Sequence, residues 1–113
     1  MLPRENRLNK KEVESVFKKG KKFVGEFLIF KLKTKNNSCS SFSAIVPVKV
    51  SKKSVERNKI KRKIREALRS NLPQIKSGLQ GIFIAMPNIK DKNFREIGQD
   101  VDKLLAISKI KKT

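Results

Sequence analysis

The amino-acid sequence predicts an α+β fold: a single-domain α-β-β-α-β-α sandwich across residues 1–113, with helices packed against one small mixed sheet. Asn9 and Asn93 are helix-capping signals that precede apolar residues at helical spacing, and a third helical period runs through residues 54–71. The connection from Phe42–Val50 to Gly81–Met86 is long enough to hold a helix, as parallel neighbours in a sheet require.

The first helix is predicted to begin after Asn9 and to end at Gly20. Glu12 is the third residue after Asn9, so the two side chains can form a capping box. Glycine is a common residue just past a helix C-terminus. The apolar stripe of this helix consists of Val13, Val16 and Phe17.

Two strand segments are predicted to follow. Phe23–Lys33 has strand character, and Gly25 marks a bulge or a break that would divide it in two, giving the order α-β-β-(β)-α-β-α. Residues 36–38 indicate a hairpin-type connection. Phe42–Val50 then alternates strictly between apolar and other residues, with Pro47 suited to an edge position or a bulge.

The remaining elements are two helices and a buried strand. The helix over residues 54–71 has a narrow apolar stripe, and Pro73 disfavours helix at Leu72. Gly81–Met86 is a short continuous apolar run, which predicts a central strand covered on both faces. The stripe of the second helix is Ile60, Ile64, Ala67 and Leu68; that of the last helix is Phe94, Ile97, Val101, Leu104 and Leu105, before a basic tail at Lys109, Lys111 and Lys112.

Composition restricts the function to a few classes. The chain has 29 Lys and Arg against 10 Asp and Glu, a net charge of +19, which predicts a nucleic acid, an acidic membrane surface or an acidic protein as partner. The absence of histidine removes the commonest general acid–base residue and zinc ligand. Cys39 is the only cysteine, and no apolar run approaches a membrane span, so we expect a soluble cytoplasmic protein. Among the three kinds of partner, a phosphate-rich one is the first expectation, so no membrane partner is predicted. Neither standard nucleotide-phosphate loop is present, and no small-molecule substrate is predicted.

Positive charge is densest from Lys49 to Arg69. This segment has ten Lys or Arg and two Glu, a local net charge of +8. The apolar stripe of its helix must face the core, so the basic side chains must face outward. A merely solvated helix usually alternates the signs of its charges, and this one does not. The predicted RNA-binding residues are Lys49, Lys52, Lys53, Arg57, Asn58, Lys59, Lys61, Arg62, Arg65 and Arg69.

The string ERNKIKRKIREALR at residues 56–69 closely resembles the signature of the bacterial ribonuclease P protein subunit, Arg-Asn-(Arg/Lys)-x-Lys-Arg-x-x-Arg. Arg57, Asn58, Lys59, Lys61, Arg62 and Arg65 occupy its fixed places. The segment VPVKVSKKSV resembles that family's strand end and basic turn. RLNKKEVESVFKKGKKF resembles its N-terminal helix and the glycine that ends it.

The resemblance implies a function and a site. Proteins of this family bind a large catalytic RNA, and the ribonucleoprotein removes the 5′ leader of precursor tRNA with Mg²⁺ held mainly by the RNA. It also implies a leader-binding cleft between the first helix and the sheet, with Val13, Phe17 and Phe30 at or near its aromatic positions. For Phe17 and Phe30, ordinary packing in the core stays open as the alternative. A left-handed β-α-β crossover is implied as well, where general rules predict a right-handed one.

No catalytic residue and no protein-held metal is predicted. Asp91, Asp100 and Asp102 are tempting ligands, but positions 100 and 102 do not share a helix face, so helix-end and surface roles are favoured. Three alternatives stay open: a ribosomal or other structural RNA-binding protein, a nucleoid-type DNA-binding protein, and a self-sufficient nuclease. The last is disfavoured by the lack of histidine.

Overall fold

The computed structural model describes residues 8–34, 40–108 and 110. Within these ranges lie three α-helices, four strands and two short 3₁₀ helices at Leu72–Gln74 and Pro87–Ile89. The element order is the predicted one, with the first strand divided at Gly25. The helices are α1 (Lys10–Lys19), α2 (Ser54–Asn71) and α3 (Phe94–Ile107), and the strands are β1 (Lys21–Val24), β2 (Leu28–Thr34), β3 (Ser41–Ile45) and β4 (Leu79–Ala85).

The four strands form one mixed sheet in the order β1-β2-β4-β3. β1 pairs antiparallel with β2, β2 antiparallel with β4, and β3 parallel with β4. The predicted parallel pair and the central position of β4 are therefore confirmed. The hairpin-type connection at residues 36–38 lies outside the described residues, but a β2–β3 hairpin is wrong because β4 lies between these strands.

Strand β3 is shorter than predicted, ending at Ile45 rather than at Val50. Pro47 has no N–H to offer to a sheet. The Val50 N–H donates instead to the Pro47 carbonyl at 3.0 Å, which closes a turn. This turn redirects the chain from the sheet into α2.

Helices α2 and α3 cover one face of the sheet and enclose the core there. Phe30 and Phe83 are paired neighbours on this face, and their rings stack with centroids 4.4 Å apart. The predicted stripe of α2 is buried, as is that of α3 except for Phe94. Phe94 is half exposed because it is the first residue of α3 and borders the groove between α2 and α3.

Helix α1 lies on the other face, where Val16 and Ile82 are fully buried. Both predicted capping boxes, Asn9 with Glu12 and Asn93 with Glu96, are present. In the ranges that the structure describes, no helix combines the length and apolar character needed to cross a bilayer. The handedness of the β3-α2-β4 crossover stays a prediction from the resemblance.

Candidate nucleic-acid interface

Helix α2 presents a basic surface because its apolar residues hold the opposite side against the sheet. Ile60, Ile64 and Leu68 are buried, so the charged side chains between them point away from the core. Of the ten residues predicted to bind RNA, Arg57, Lys61 and Arg65 are half-buried. The others are exposed: Lys49, Lys52, Lys53, Asn58, Lys59, Arg62 and Arg69.

The outward side of α2 contains a concavity of about 720 Å³ lined by Asn58, Arg62, Arg65 and Glu66. Residues three and four positions apart on a helix are surface neighbours, which explains why these side chains meet. The guanidinium groups of Arg62 and Arg65 can each bind phosphate oxygens with two N–H groups. The side-chain amide of Asn58 can donate to or accept from a base edge or a ribose hydroxyl. The structure thus gathers three of the predicted RNA-binding residues in one place.

Arg57 holds the turn before α2 in shape. Its Nη1 donates to the carbonyl oxygens of Ser51 at 2.9 Å and Lys52 at 3.0 Å. The Ser51 hydroxyl donates to Glu56 Oε2 at 2.7 Å and accepts from the Lys53 N–H at 3.2 Å. We call this network the Arg57 brace. It fixes the backbone from which Lys52 and Lys53 project, so Arg57 supports the basic surface as well as adding charge to it.

Glu56 is suited to its place in the Arg57 brace. The hydrogen bond from the Ser51 hydroxyl lowers the pKa of Glu56 below its ordinary value, and the positive charges of Lys90, Lys53 and Lys59 lower it further. The carboxylate therefore stays charged, and accepts from Ser51, under conditions in which an ordinary glutamate begins to take up a proton.

The three residues predicted to line a leader-binding cleft separate into two groups. Phe17 is 48% exposed on α1, and Val13 is half-buried one turn earlier. Phe30 is 0% exposed, because it points to the face of the sheet that α2 and α3 cover. The prediction that Phe30 contributes to the cleft is wrong, since its ring is enclosed by the core and stacked on Phe83.

A row of four apolar residues crosses the sheet on the face that carries α1. The register aligns Val24 with Ile29, Ile29 with Ile84, and Ile84 with Ile45, one residue from each strand. Val24 is exposed and the other three are half-buried, so α1 leaves this row partly open. We call it the apolar row. The apolar row was not predicted from the sequence, although Ile29 lies on the same strand face as Lys31 and Lys33 and so indicates that this face is not simply solvated.

Polar contacts fix α1 beside the apolar row. Lys31 Nζ donates to the Phe17 carbonyl at 2.9 Å and lies 4.2 Å from the centroid of the Phe17 ring. Lys33 Nζ donates a hydrogen bond to the Ser15 hydroxyl oxygen at 2.6 Å. These lysines, from the sheet, hold the helix and place positive charge next to an exposed aromatic ring, which suits a nucleic-acid strand.

Two of the three acidic residues considered as metal ligands, Asp100 and Asp102, have structural partners. Asp100 is 4% exposed on α3, and its two oxygens accept the backbone N–H groups of Glu26 and Phe27, both at 2.9 Å. Asp102 accepts from Asn71 Nδ2 at 2.8 Å. Among the described residues no group of three or more Asp, Glu, Cys or His is placed to hold a metal ion.

Helix α2 packs on the core through its apolar stripe and presents arginine guanidinium groups and an amide outward. On a chain with a net charge of +19, these features define a polyanion-binding α+β protein. The family model Ribonuclease P matches residues 2–109. The ribonuclease P protein component of Pseudanabaena sp. (strain PCC 6903) is 37% identical over 113 residues, covering 97% of each chain. That of Clostridioides difficile (strain 630) is 32% identical over 95 residues, covering 83% of this chain and 82% of the relative.

Solved structures agree with the sequence relatives. The RNase P protein from Staphylococcus aureus superposes with a TM-score of 0.81 at 25% identity, over 100% of this chain and 97% of that one. The RNase P protein from Thermotoga maritima gives a TM-score of 0.79 at 25% identity, over 88% and 94%. The chain belongs to the ribonuclease P protein component family. It acts with the ribonuclease P RNA in processing the 5′ leader of tRNA, and the comparisons give no support to a ribosomal protein.

Proposed function

We propose that the outward side of α2 and the preceding turn bind the RNA subunit of ribonuclease P, while the apolar row beside α1 holds the 5′ leader of precursor tRNA. The observation that carries the first part is the concavity of Asn58, Arg62 and Arg65 on a helix whose other side is buried. The backbone of a helix fastened in this way is already ordered, so binding costs the rotamer entropy of the side chains but not that of the backbone.

The leader site is supported by the combination of an exposed ring, an apolar floor and lysines. Phe17 offers one face of its ring for base stacking, and Lys31 lies beside it. Lys22 aligns with Lys31 across β1 and β2, which adds charge along the same face. Every base has a flat π-face, so stacking on Phe17 tolerates different leader sequences.

Phosphodiester hydrolysis is proposed to take place in the RNA subunit, with Mg²⁺ bound mainly there. Support comes from the chain's own chemistry: it has no histidine, and the buried carboxylate of Asp100 is engaged by two backbone N–H groups. The protein's part is to reduce repulsion between two RNAs and to hold the leader in place. The single cysteine and a tRNA substrate are consistent with action in the cytoplasm.

Arg62→Ala and Arg65→Ala test the basic surface. Each variant should weaken assembly with a bacterial ribonuclease P RNA and make the slope of log affinity against log salt less steep by about 0.7–0.9. Filter binding at several salt concentrations measures both quantities. Lys103→Ala, which removes an exposed lysine from α3, is the matched control and should change them less. Wild-type affinity and slope in both arginine variants would show that α2 is not the RNA surface.

A further inference from the structure

Four of the five glycines in the chain have a structural reason within the chain itself. A Cβ at Gly20, Gly25 or Gly81 would lie 2.5 Å from another atom, and Gly78 has a φ of 80°. Gly98 is different. It lies inside α3, and a Cβ built there meets no described atom within 4 Å other than its chain neighbours and the adjacent backbone of its own helix. Glycine is unfavourable in a helix interior, so its presence here lacks an intramolecular explanation.

The open space at Gly98 is part of a groove between α2 and α3. We call this groove the interhelical notch; it has an empty volume of about 490 Å³. Phe94, one turn before Gly98 on the same side of α3, is 50% exposed at its border. The exposed ring of Phe94 and the open space at Gly98 together form a flat apolar surface. The notch is lined by Ala67, Ser70, Phe94, Arg95, Gly98, Gln99 and Asp102.

The polar groups of the notch match those of a nucleotide. In the described chain, Arg95 has no hydrogen-bond or ion-pair partner, so its guanidinium is available for a phosphate. Gln99 carries both a donor and an acceptor. Asp102 already accepts from Asn71 through Oδ1, and its second oxygen can accept from an exocyclic amine. The ring of Phe94 can stack on a base. These four residues are thus suited to the three parts of a nucleotide: Arg95 to the phosphate, Gln99 and Asp102 to the base edge, and Phe94 to the base face.

Charge favours RNA over a second protein copy as the occupant. A second copy would bring another net charge of +19 against this one, whereas an RNA strand neutralises it. The notch also borders the basic helix, because Ser70 in its lining directly follows the exposed Arg69. We propose that the interhelical notch binds one unpaired nucleotide of RNA, with its base stacked on Phe94 over Gly98 and its phosphate on Arg95. This inference rests on the proposed function only in that the chain acts on RNA.

Substitutions at Gly98 separate a binding role from a purely structural one. Gly98→Ala improves helix propensity without a clash, so its Tm should rise by about 4 °C. Gly98→Leu should fold equally well but fill the notch and weaken RNA binding about tenfold. If Gly98 has no role, both variants keep wild-type RNA affinity. A Gly98→Leu protein that is folded by circular dichroism and binds RNA normally would overturn the proposal.

Substitutions at Phe94 test stacking directly. Phe94→Ala should weaken RNA binding about tenfold, since stacking on an aromatic side chain is lost. Phe94→Leu keeps apolar bulk without a π-face and should recover little of that loss. Full recovery by leucine would contradict base stacking. Ile107→Ala, at another exposed apolar residue of α3, is the control and should bind as wild type.

Two arms distinguish the source of the nucleotide. In one arm the variants are titrated with ribonuclease P RNA alone; in the other, the assembled holoenzyme is titrated with precursor tRNA and with mature tRNA. A loss in the first arm assigns the nucleotide to the RNA subunit, and a loss only for precursor tRNA assigns it to the leader. Unchanged affinity in both arms overturns the proposal, as does a change confined to self-association measured by light scattering. Arg62→Ala serves as a reference variant. If Arg62→Ala loses RNA affinity while the notch variants bind normally, the interhelical notch is excluded as a binding site and the proposed function stands.

Discussion

Arg57 has a structural role that its residue type alone does not indicate. Within a run of basic residues it is expected to contact phosphate, yet its Nη1 donates to two backbone carbonyls of the turn that carries Lys52 and Lys53. Glu56 belongs to the same network through the hydroxyl of Ser51. The presence of Glu56 within the predicted RNA-binding segment is thereby explained, because this acid completes the Arg57 brace.

Glu56→Gln distinguishes bracing from simple electrostatics. Removing a negative charge from a surface that binds RNA should tighten binding if charge alone matters. If the Arg57 brace orients the lysines, the weaker acceptor should instead lower the affinity for the ribonuclease P RNA several-fold. Glu14→Gln, at an exposed acid on α1, is the matched control. Equal or tighter binding by Glu56→Gln would show that the brace has no part in RNA binding.

The lowered pKa of Glu56 gives a pH-dependent test of the same network. Because this pKa is lower in the folded protein, its stabilising contribution is present above the ordinary glutamate pKa and is lost as pH falls through the folded value. Ser51→Ala removes the first cause, so the pKa of Glu56 should rise towards its ordinary value. An NMR titration of the Glu56 carboxyl measures this. The same pKa in both proteins would contradict the hydrogen bond.

At the scale of elements, the helices were predictable and the strand pairings were less so. Capping boxes and apolar stripes are local signals, and they gave α1, α2 and α3 with nearly correct bounds. The central position of β4 and its parallel pairing with β3 were predicted, because a buried apolar run and a long connection are visible in the sequence. The pairing of β2 with β4, in place of a β2–β3 hairpin, depends on contacts distant in sequence and was not predicted. The alternation of apolar residues predicted a strand over Phe42–Val50. The strand ends at Ile45 because Pro47 has no N–H to donate to the sheet.

The same reasoning explains the error at Phe30. Phe17 and Phe30 are both aromatic residues in predicted elements, and only the packing of α2 and α3 on one face decides which is enclosed. The apolar row was missed because its members come from four strands whose register is a property of the sheet. A candidate interface that depends on one helix was therefore predictable, and one that depends on several strands was not.

Phe17→Ala tests the cleft formed by α1 and the sheet. The ring is half exposed, so its removal should cost little stability but reduce the preference of the holoenzyme for precursor over mature tRNA by about fivefold or more. The ratio of the two dissociation constants measures this preference. Ile107→Ala is the control for loss of an exposed apolar side chain. An unchanged ratio in Phe17→Ala would remove Phe17 from the leader site.

At the scale of the whole molecule, the sheet separates two candidate RNA surfaces. α2 packs on the face that holds the core, and the apolar row lies on the other face beside α1. One chain can therefore contact the RNA subunit and the leader together, with a net charge of +19 to offset repulsion between them. Composition alone predicts a polyanion partner, and two candidate surfaces on opposite faces support the proposal that the protein binds two RNAs.

The most direct test of this account is reconstitution with a bacterial ribonuclease P RNA and precursor tRNA at near-physiological magnesium. The chain should lower the concentration of precursor tRNA needed for half-maximal cleavage, with little effect on the affinity for mature tRNA, and the protein alone should not cleave. Equal effects on precursor and mature tRNA would contradict leader binding. Cleavage by the protein after rigorous removal of RNA would contradict the assignment of catalysis to the RNA subunit.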